Sequence, residues 1–209
     1  MTSLIYPCSI LILGRKNSGK TTILYNIIKY YSNPIEKIYI YTATPHQSIY
    51  DKIAEDERVR IFDTLPEKDE LGEIIIERKE DGKFIQKLVV FDDFYSEINK
   101  NKDYEFINDL FTKGRHFNCS ICELSQVIFN INMAKRLNAD YIFLCKFTNM
   151  RAVKTLFLQI YDNPNLLLEA YKKAIKENDG HGFLLIDNRT NNPLLRFRNS
   201  SLNICFTRL

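Results

Sequence analysis

The chain is poor in residues that bend or link a polypeptide. Its 209 residues include seven glycines and six prolines, too few for a linker-rich or collagen-like polymer. An apolar fraction of 45% excludes a chain disordered throughout. No run of about 18 apolar residues occurs, which excludes a membrane-spanning helix. The apolar start, Met1 to Leu13, lacks a basic lead and a small-residue cleavage site. It runs straight into a glycine motif, so it reads as a strand and not as a secretion signal. Internal repeats and low-complexity tracts are absent as well. The expectation is one soluble, intracellular domain over residues 1–209.

Charge of one sign is scarce overall: 29 bases against 26 acids leave a net +3. Its distribution is uneven. Asp51 to Asp81 holds twelve acids and six bases, and Lys135 to Leu209 holds twelve bases and six acids. A basic C-terminal half permits an anionic partner, although an unevenly solvated surface gives the same count. The five cysteines, an odd number, are expected to be free thiols. Cys119-Ser120-Ile121-Cys122 has metal-ligand spacing, but no second CxxC or HxxxH completes a zinc site. It also lies in an apolar run that reads as a buried strand, so no metal or redox role is expected.

Apolar, β-branched runs alternate with helical patterns, the signature of an α/β domain with a mainly parallel sheet. Strands are expected at Ile5–Leu13, Lys37–Thr42, Arg58–Phe62, Lys87–Asp92, Asn118–Leu124 and Asp140–Phe147. Helices are expected at Lys20–Tyr31, Gln47–Asp56, Asn99–Thr112, Met150–Tyr161 and Pro164–Lys176. Proline falls favourably in the first turn of the last of these. The stretch Leu65–Gly82 fits a helix or an edge strand equally. A closing hairpin is expected, Gly182–Asp187 against Leu194–Asn199.

Gly14-Arg15-Lys16-Asn17-Ser18-Gly19-Lys20-Thr21 satisfies G-x-x-x-x-G-K-[ST] at every fixed position, between a predicted strand and a predicted helix. That context is what gives the motif its meaning. The two glycines let the backbone curl so that successive N–H groups face a β-phosphate. Lys20 reaches the β- and γ-phosphate oxygens, Thr21 ligates Mg²⁺, and the helix N-terminus, with Thr22 next in line, adds positive potential. Leu88-Val89-Val90-Phe91-Asp92-Asp93 delivers two acids to the end of an apolar strand. Asp92 is placed to hold the Mg²⁺ shell, and Asp93 to polarise or deprotonate an attacking water. The strand ending in Leu124-Ser125-Gln126 puts Gln126 over the ligand crevice of a parallel sheet, where it can meet the γ-phosphate or orient the water. Glu123, in the middle of that strand, has no account from sequence. Arg115, in Gly114-Arg115-His116, is expected to lie away from its own nucleotide; it fits an arginine finger in trans or an ordinary surface residue.

This constellation resembles the viral genome-packaging ATPases of the FtsK–HerA superfamily, in their poxvirus-type form. The residues that carry the resemblance are the phosphate loop, Val89-Val90-Phe91-Asp92-Asp93-Phe94, Gly114-Arg115-His116 and the strand ending in Gln126. Phe183-Leu184-Leu185-Ile186-Asp187 and a basic partner with Arg196 and Arg198 complete it. The resemblance implies a P-loop NTPase with a RecA-like core, a homo-oligomeric ring, and ATP and Mg²⁺ as cofactors. It implies double-stranded DNA as the polymer moved, a capsid or portal component as partner, and a place in the host cytoplasm or virion. It assigns phosphate to Lys20 and Thr21, metal to Asp92, the catalytic base to Asp93, the sensor to Gln126 and a trans-acting finger to Arg115. One departure is visible: many relatives carry Glu where this chain has Asp93. Lys146, Arg151, Lys154, Arg196 and Arg198 are candidates for a DNA channel.

The alternative is a monomeric P-loop nucleotide or small-molecule kinase. The second acid and the lack of an Arg-rich lid stand against it. A GTPase is disfavoured because no Asn-Lys-x-Asp motif occurs, and an ABC-type ATPase because Leu124-Ser125-Gln126 lacks the signature glycines. The intact acid pair argues against a non-enzymatic nucleotide-binding scaffold.

Overall fold

Strands buried on both faces need apolar residues at every position, and the chain supplies them where the sheet is deepest. In the computed structural model, which describes residues 4–94, 98, 104–129, 131–192 and 195–200, the first such run is β1 (Ser9–Leu13). β2 (Lys37–Thr42), β3 (Val59–Phe62), β4 (Lys87–Asp92), β5 (Cys119–Ser125) and β6 (Tyr141–Leu144) follow it. With β7 (Leu184–Asp187) and β8 (Phe197–Arg198) they form one sheet in the order β3-β2-β4-β5-β1-β6-β7-β8. The first six strands run parallel; β7 is antiparallel to β6 and to β8. The expected class therefore holds. The strand expected from Ile5 starts only at Ser9, two residues beyond Pro7, whose nitrogen has no hydrogen to give a ladder. Of the expected hairpin, Leu185 and Ile186 pair with Arg198 and Phe197, while Leu194 lies outside the described residues.

Successive residues of a strand point to opposite faces, and β1 feeds two cores in turn. Ile10 and Ile12 join the core beneath α1 (Lys20–Tyr31) and α2 (Ser48–Ala54), which contribute Leu24, Ile27, Tyr50 and Ile53. Leu11 and Leu13 join the opposite core, covered by α3 (Lys68–Ile76), α4 (Glu105–Lys113), α6 (Met150–Ile160) and α7 (Pro164–Ala174). α5 (Met133–Asn138), capped by the Asn132 side chain, is a short helix that the periodicity does not predict. Positions 99–103 of the helix expected over Asn99–Thr112 lie outside the described residues. The same alternation disposes of the CxxC motif. Cys119 and Cys122 are both buried in β5 but belong to opposite cores, so they cannot share a metal.

Two buried lysines resolve what the sequence leaves open. Leu65–Gly82 contains a helix and not an edge strand, because the Lys87 ammonium donates to the carbonyls of Ile74 (2.8 Å), Ile75 (3.0 Å) and Glu77 (3.2 Å). These are the orphan carbonyls of the α3 C-terminus. Glu123 is the partner of Lys135, at 2.6 Å, with both side chains 1% exposed. The Lys135 ammonium also lies 5.0 Å from the centre of the Phe111 ring. Next to it, Arg136 donates to the carbonyls of Ile128 and Ile131 and to Gln159 of α6, so the segment following Gln126 is tied to a neighbouring helix.

Candidate functional site

The phosphate loop leaves β1 at the C-terminal edge of the sheet, between the ends of β5 and β6. The Gly14 amide donates to the Ser125 carbonyl (3.1 Å) and the Arg15 amide to that of Lys146 (3.0 Å). A Cβ on Gly14 would stand 2.3 Å from Ser18 Oγ and 2.6 Å from Cys145 Cβ, so only glycine fits the turn. Asn17 (φ 58°) and Gly19 (φ 90°) take left-handed conformations that curl the loop back. α1 then begins at Lys20 with no acid in its first turn and no side-chain cap. Its free N–H groups are available to an anion.

A cavity of about 750 Å³ opens over this loop. Of the nine predicted loop residues, Lys16, Asn17, Gly19, Lys20, Thr21 and Thr22 line it, together with Asp92, Asp93 and Gln126. Gly14 and Ser18 shape the loop from beneath, and Arg15 points to solvent. Insertion of β5 between β1 and β4 is what brings Gln126 between the phosphate loop and the two acids. Lys20 is only 7% exposed and donates to the Arg15 carbonyl at 3.4 Å.

The acids differ in setting. Asp92 ends β4 and is buried; its Oδ2 accepts a hydrogen bond from the Tyr50 hydroxyl, and its Oδ1 is buried without a protein partner. Burial pushes its carboxyl up to about 6, opposed by the Tyr50 hydrogen bond, reinforced by the Asp93 charge and opposed again by Lys20. Asp93 turns out of the strand at φ 62°, and its amide donates to the Leu124 carbonyl (3.3 Å). Gln126 Nε2 donates to Asp93 Oδ2 at 2.9 Å, leaving Oδ1 buried and unpartnered. A buried carboxylate oxygen without a donor is an uncommon and costly arrangement. Here Asp92 and Thr21 line one cavity and bring a carboxylate and a hydroxyl, donor types suited to a hard divalent cation.

Arg115 lies at the other edge of the sheet, on the turn that precedes β5, with its guanidinium 3.8 Å from Asp140. It is thus remote from the cavity of its own chain, as expected. One channel candidate is corrected. Arg198 is buried and paired with Asp187. Arg196 donates to the Ile160 carbonyl and to Asn188. Arg151 and Lys154, on the outer face of α6, are exposed, and Lys146 is half-buried.

Tyr50, Thr44, Gln47, Ile49 and His181 belong to the site but were not anticipated. For Thr44 and Gln47 a signal existed: polar residues just past β2 must face the ligand edge of a parallel sheet. Tyr50 and His181 carry no motif.

A family model described as "Poxvirus A32 protein" matches residues 3–160. Among curated proteins none matches the chain. Solved structures share the fold at low identity. The genome packaging NTPase B204 of Sulfolobus turreted icosahedral virus 2, in complex with sulfate, superposes with a TM-score of 0.64 at 16% identity. That match covers 92% of this chain and 95% of that one. The same protein in complex with AMPPCP gives 0.61 at 16% identity, over 92% and 96%. EssC (ATPases 2 and 3) from Geobacillus thermodenitrificans gives 0.56 at 14% identity, over 71% of this chain and 34% of that one. Among the described residues no helix is long and apolar enough to cross a membrane.

Proposed function

This chain belongs to the poxvirus A32 protein family, and from that membership and the geometry of its site we propose that it is an ATP-hydrolysing motor moving double-stranded viral DNA into a preformed capsid. One observation carries the reading: a single cavity joins the phosphate loop, two adjacent carboxylates and a glutamine amide. In it Lys20 and the α1 N-terminus hold the β- and γ-phosphates, and Thr21 and Asp92 hold Mg²⁺. Mg²⁺ held there would neutralise phosphate charge. Asp93 takes the proton of the attacking water, and Gln126, which donates to its Oδ2, senses the γ-phosphate. A nucleotide kinase does not need the second acid, since its substrate brings the nucleophile. The whole chain, residues 1–209, acts as one P-loop domain at the host's viral assembly site or in the virion.

The role of Tyr50 follows from its hydrogen bond to Asp92. Removing the hydroxyl leaves both Asp92 oxygens without a protein partner and lets the carboxylate turn. Tyr50→Phe is expected to raise the Mg²⁺ concentration needed for turnover about tenfold, the usual effect of losing a group that orients a ligand. An unchanged Mg²⁺ titration would refute this.

Arg115 is the trans-acting finger of a homo-oligomeric ring. DNA is gripped by the exposed cations of α6 and α7, Arg151, Lys154, Lys172 and Lys173; a capsid or portal component docks the ring. The decisive experiment is ATP turnover against protein concentration, with and without double-stranded DNA. Activity per subunit is expected to rise with assembly and with DNA, and the DNA effect to fade steeply with salt. Arg115→Ala and Asp93→Ala subunits, each inactive, are expected to recover activity when mixed. Turnover that is constant per subunit and indifferent to DNA would return the kinase alternative.

A further inference from the structure

We infer that His181 receives the nucleobase, stacking its imidazole on the ring of the bound nucleotide; this rests on the phosphate reading above. The direction of the nucleotide follows from the strand order. Asp92, Asp93 and Gln126 stand on β4 and β5, on one side of β1, and they mark the γ-phosphate end. The phosphate chain then runs past Lys20 and Thr21 towards Thr22, and the nucleoside must leave on the other side of β1, over β6 and β7. His181 is there, just ahead of β7, lining the same cavity. A Cβ on Gly19 would lie 3.8 Å from the His181 carbonyl oxygen and 3.9 Å from its Nδ1. The imidazole therefore stands against the phosphate loop itself.

The segment that presents His181 is built to hold it. Asn178 (φ 49°), Asp179 (φ 56°) and Gly180 (φ 86°) are left-handed in succession, a costly backbone for the first two. Around them the His181 amide donates to the Asn178 carbonyl (3.1 Å) and the Gly182 amide to that of Glu177 (2.9 Å). The Glu177 carboxylate in turn accepts from Asn199 Nδ2 (2.6 Å) and Ser200 Oγ (2.7 Å). The imidazole is exposed at the cavity wall although its backbone is fixed on both sides. A planar π-face held at the point where a nucleoside emerges suits any base, because every base has a face to stack.

Binding of ATP and of inorganic triphosphate, measured by calorimetry on wild type, His181→Ala and His181→Phe, tests this. His181→Ala is expected to weaken ATP about tenfold, the lower part of the range for one base stacked on an aromatic ring, and to leave triphosphate unchanged. His181→Phe is expected to retain ATP affinity. Unaltered ATP binding by His181→Ala, or equal weakening of ATP and triphosphate, would overturn the assignment while leaving the phosphate site standing. Wild-type protein that binds no triphosphate would overturn both. Unfolding temperatures of the variants distinguish a local loss from a folding defect.

Discussion

Lys20→Ala is expected to abolish ATP turnover, by about three orders of magnitude or more, while the protein stays folded. The two halves of this prediction have separate grounds. Lys20 is an almost buried cation in the cavity, and removing a preorganised charge from a water-poor site costs more than removing one from the surface. Its loss acts a second time at Asp92, whose carboxyl Lys20 holds down against burial; without it the metal ligand is protonated more readily. Stability, by contrast, depends little on Lys20, whose hydrogen bond among the described residues is the long one to the Arg15 carbonyl. Turnover and a thermal unfolding curve on the same preparation suffice. Retention of a tenth of the wild-type rate would sink the site assignment, and a collapsed unfolding temperature would sink the claim that Lys20 is there for the ligand.

Lys135→Met is expected to have the largest effect on stability. The substitution leaves Glu123 inside the sheet with no cation and with one oxygen already unpartnered. Breaking a buried pair from one side costs about 3–5 kcal/mol, because the remaining charge must be desolvated alone or neutralised. For a chain of this size that is a fall in Tm of about 10 °C. The double variant Glu123→Leu, Lys135→Met removes both charges and is expected to recover most of the loss, since a pair of apolar side chains has no such penalty. Urea unfolding of the two variants and wild type measures it. A single variant within about 1 kcal/mol of wild type would mean that Glu123 is neutral or hydrated in the native protein.

Legibility in the sequence followed the range of the interaction. The β4 strand and its terminal acids, the phosphate loop and the α1 boundary are local, and each was placed from a handful of adjacent residues. The contacts of Tyr50 with Asp92 and of Lys135 with Glu123 join elements whose register is set by the sheet, so no spacing announces them. Charge was the least reliable guide. Of the twelve bases after residue 134, Lys135, Arg136 and Arg198 are buried, and Arg189 and Arg196 bind carbonyl groups. The formal count therefore overstates what a DNA backbone meets. Helix α5 escaped because six residues give less than two turns of periodicity.

The position of β1 bears on how the protein comes into being. Its partners are β5, paired from Ser9 with Ile121, and β6, paired from Ile10 with Tyr141. During synthesis the strand that starts the phosphate loop therefore emerges ahead of both partners and waits until Ile121 has followed before either edge is covered. Long-range parallel pairing is slow to form, and uncovered apolar edges invite association in the interval. A nascent chain cut short before residue 125 lacks β6 and the last turn of the loop's support, including the Lys146 carbonyl that holds Arg15. The phosphate loop gains its full support only when the two neighbours have arrived, and His181 joins the cavity later still.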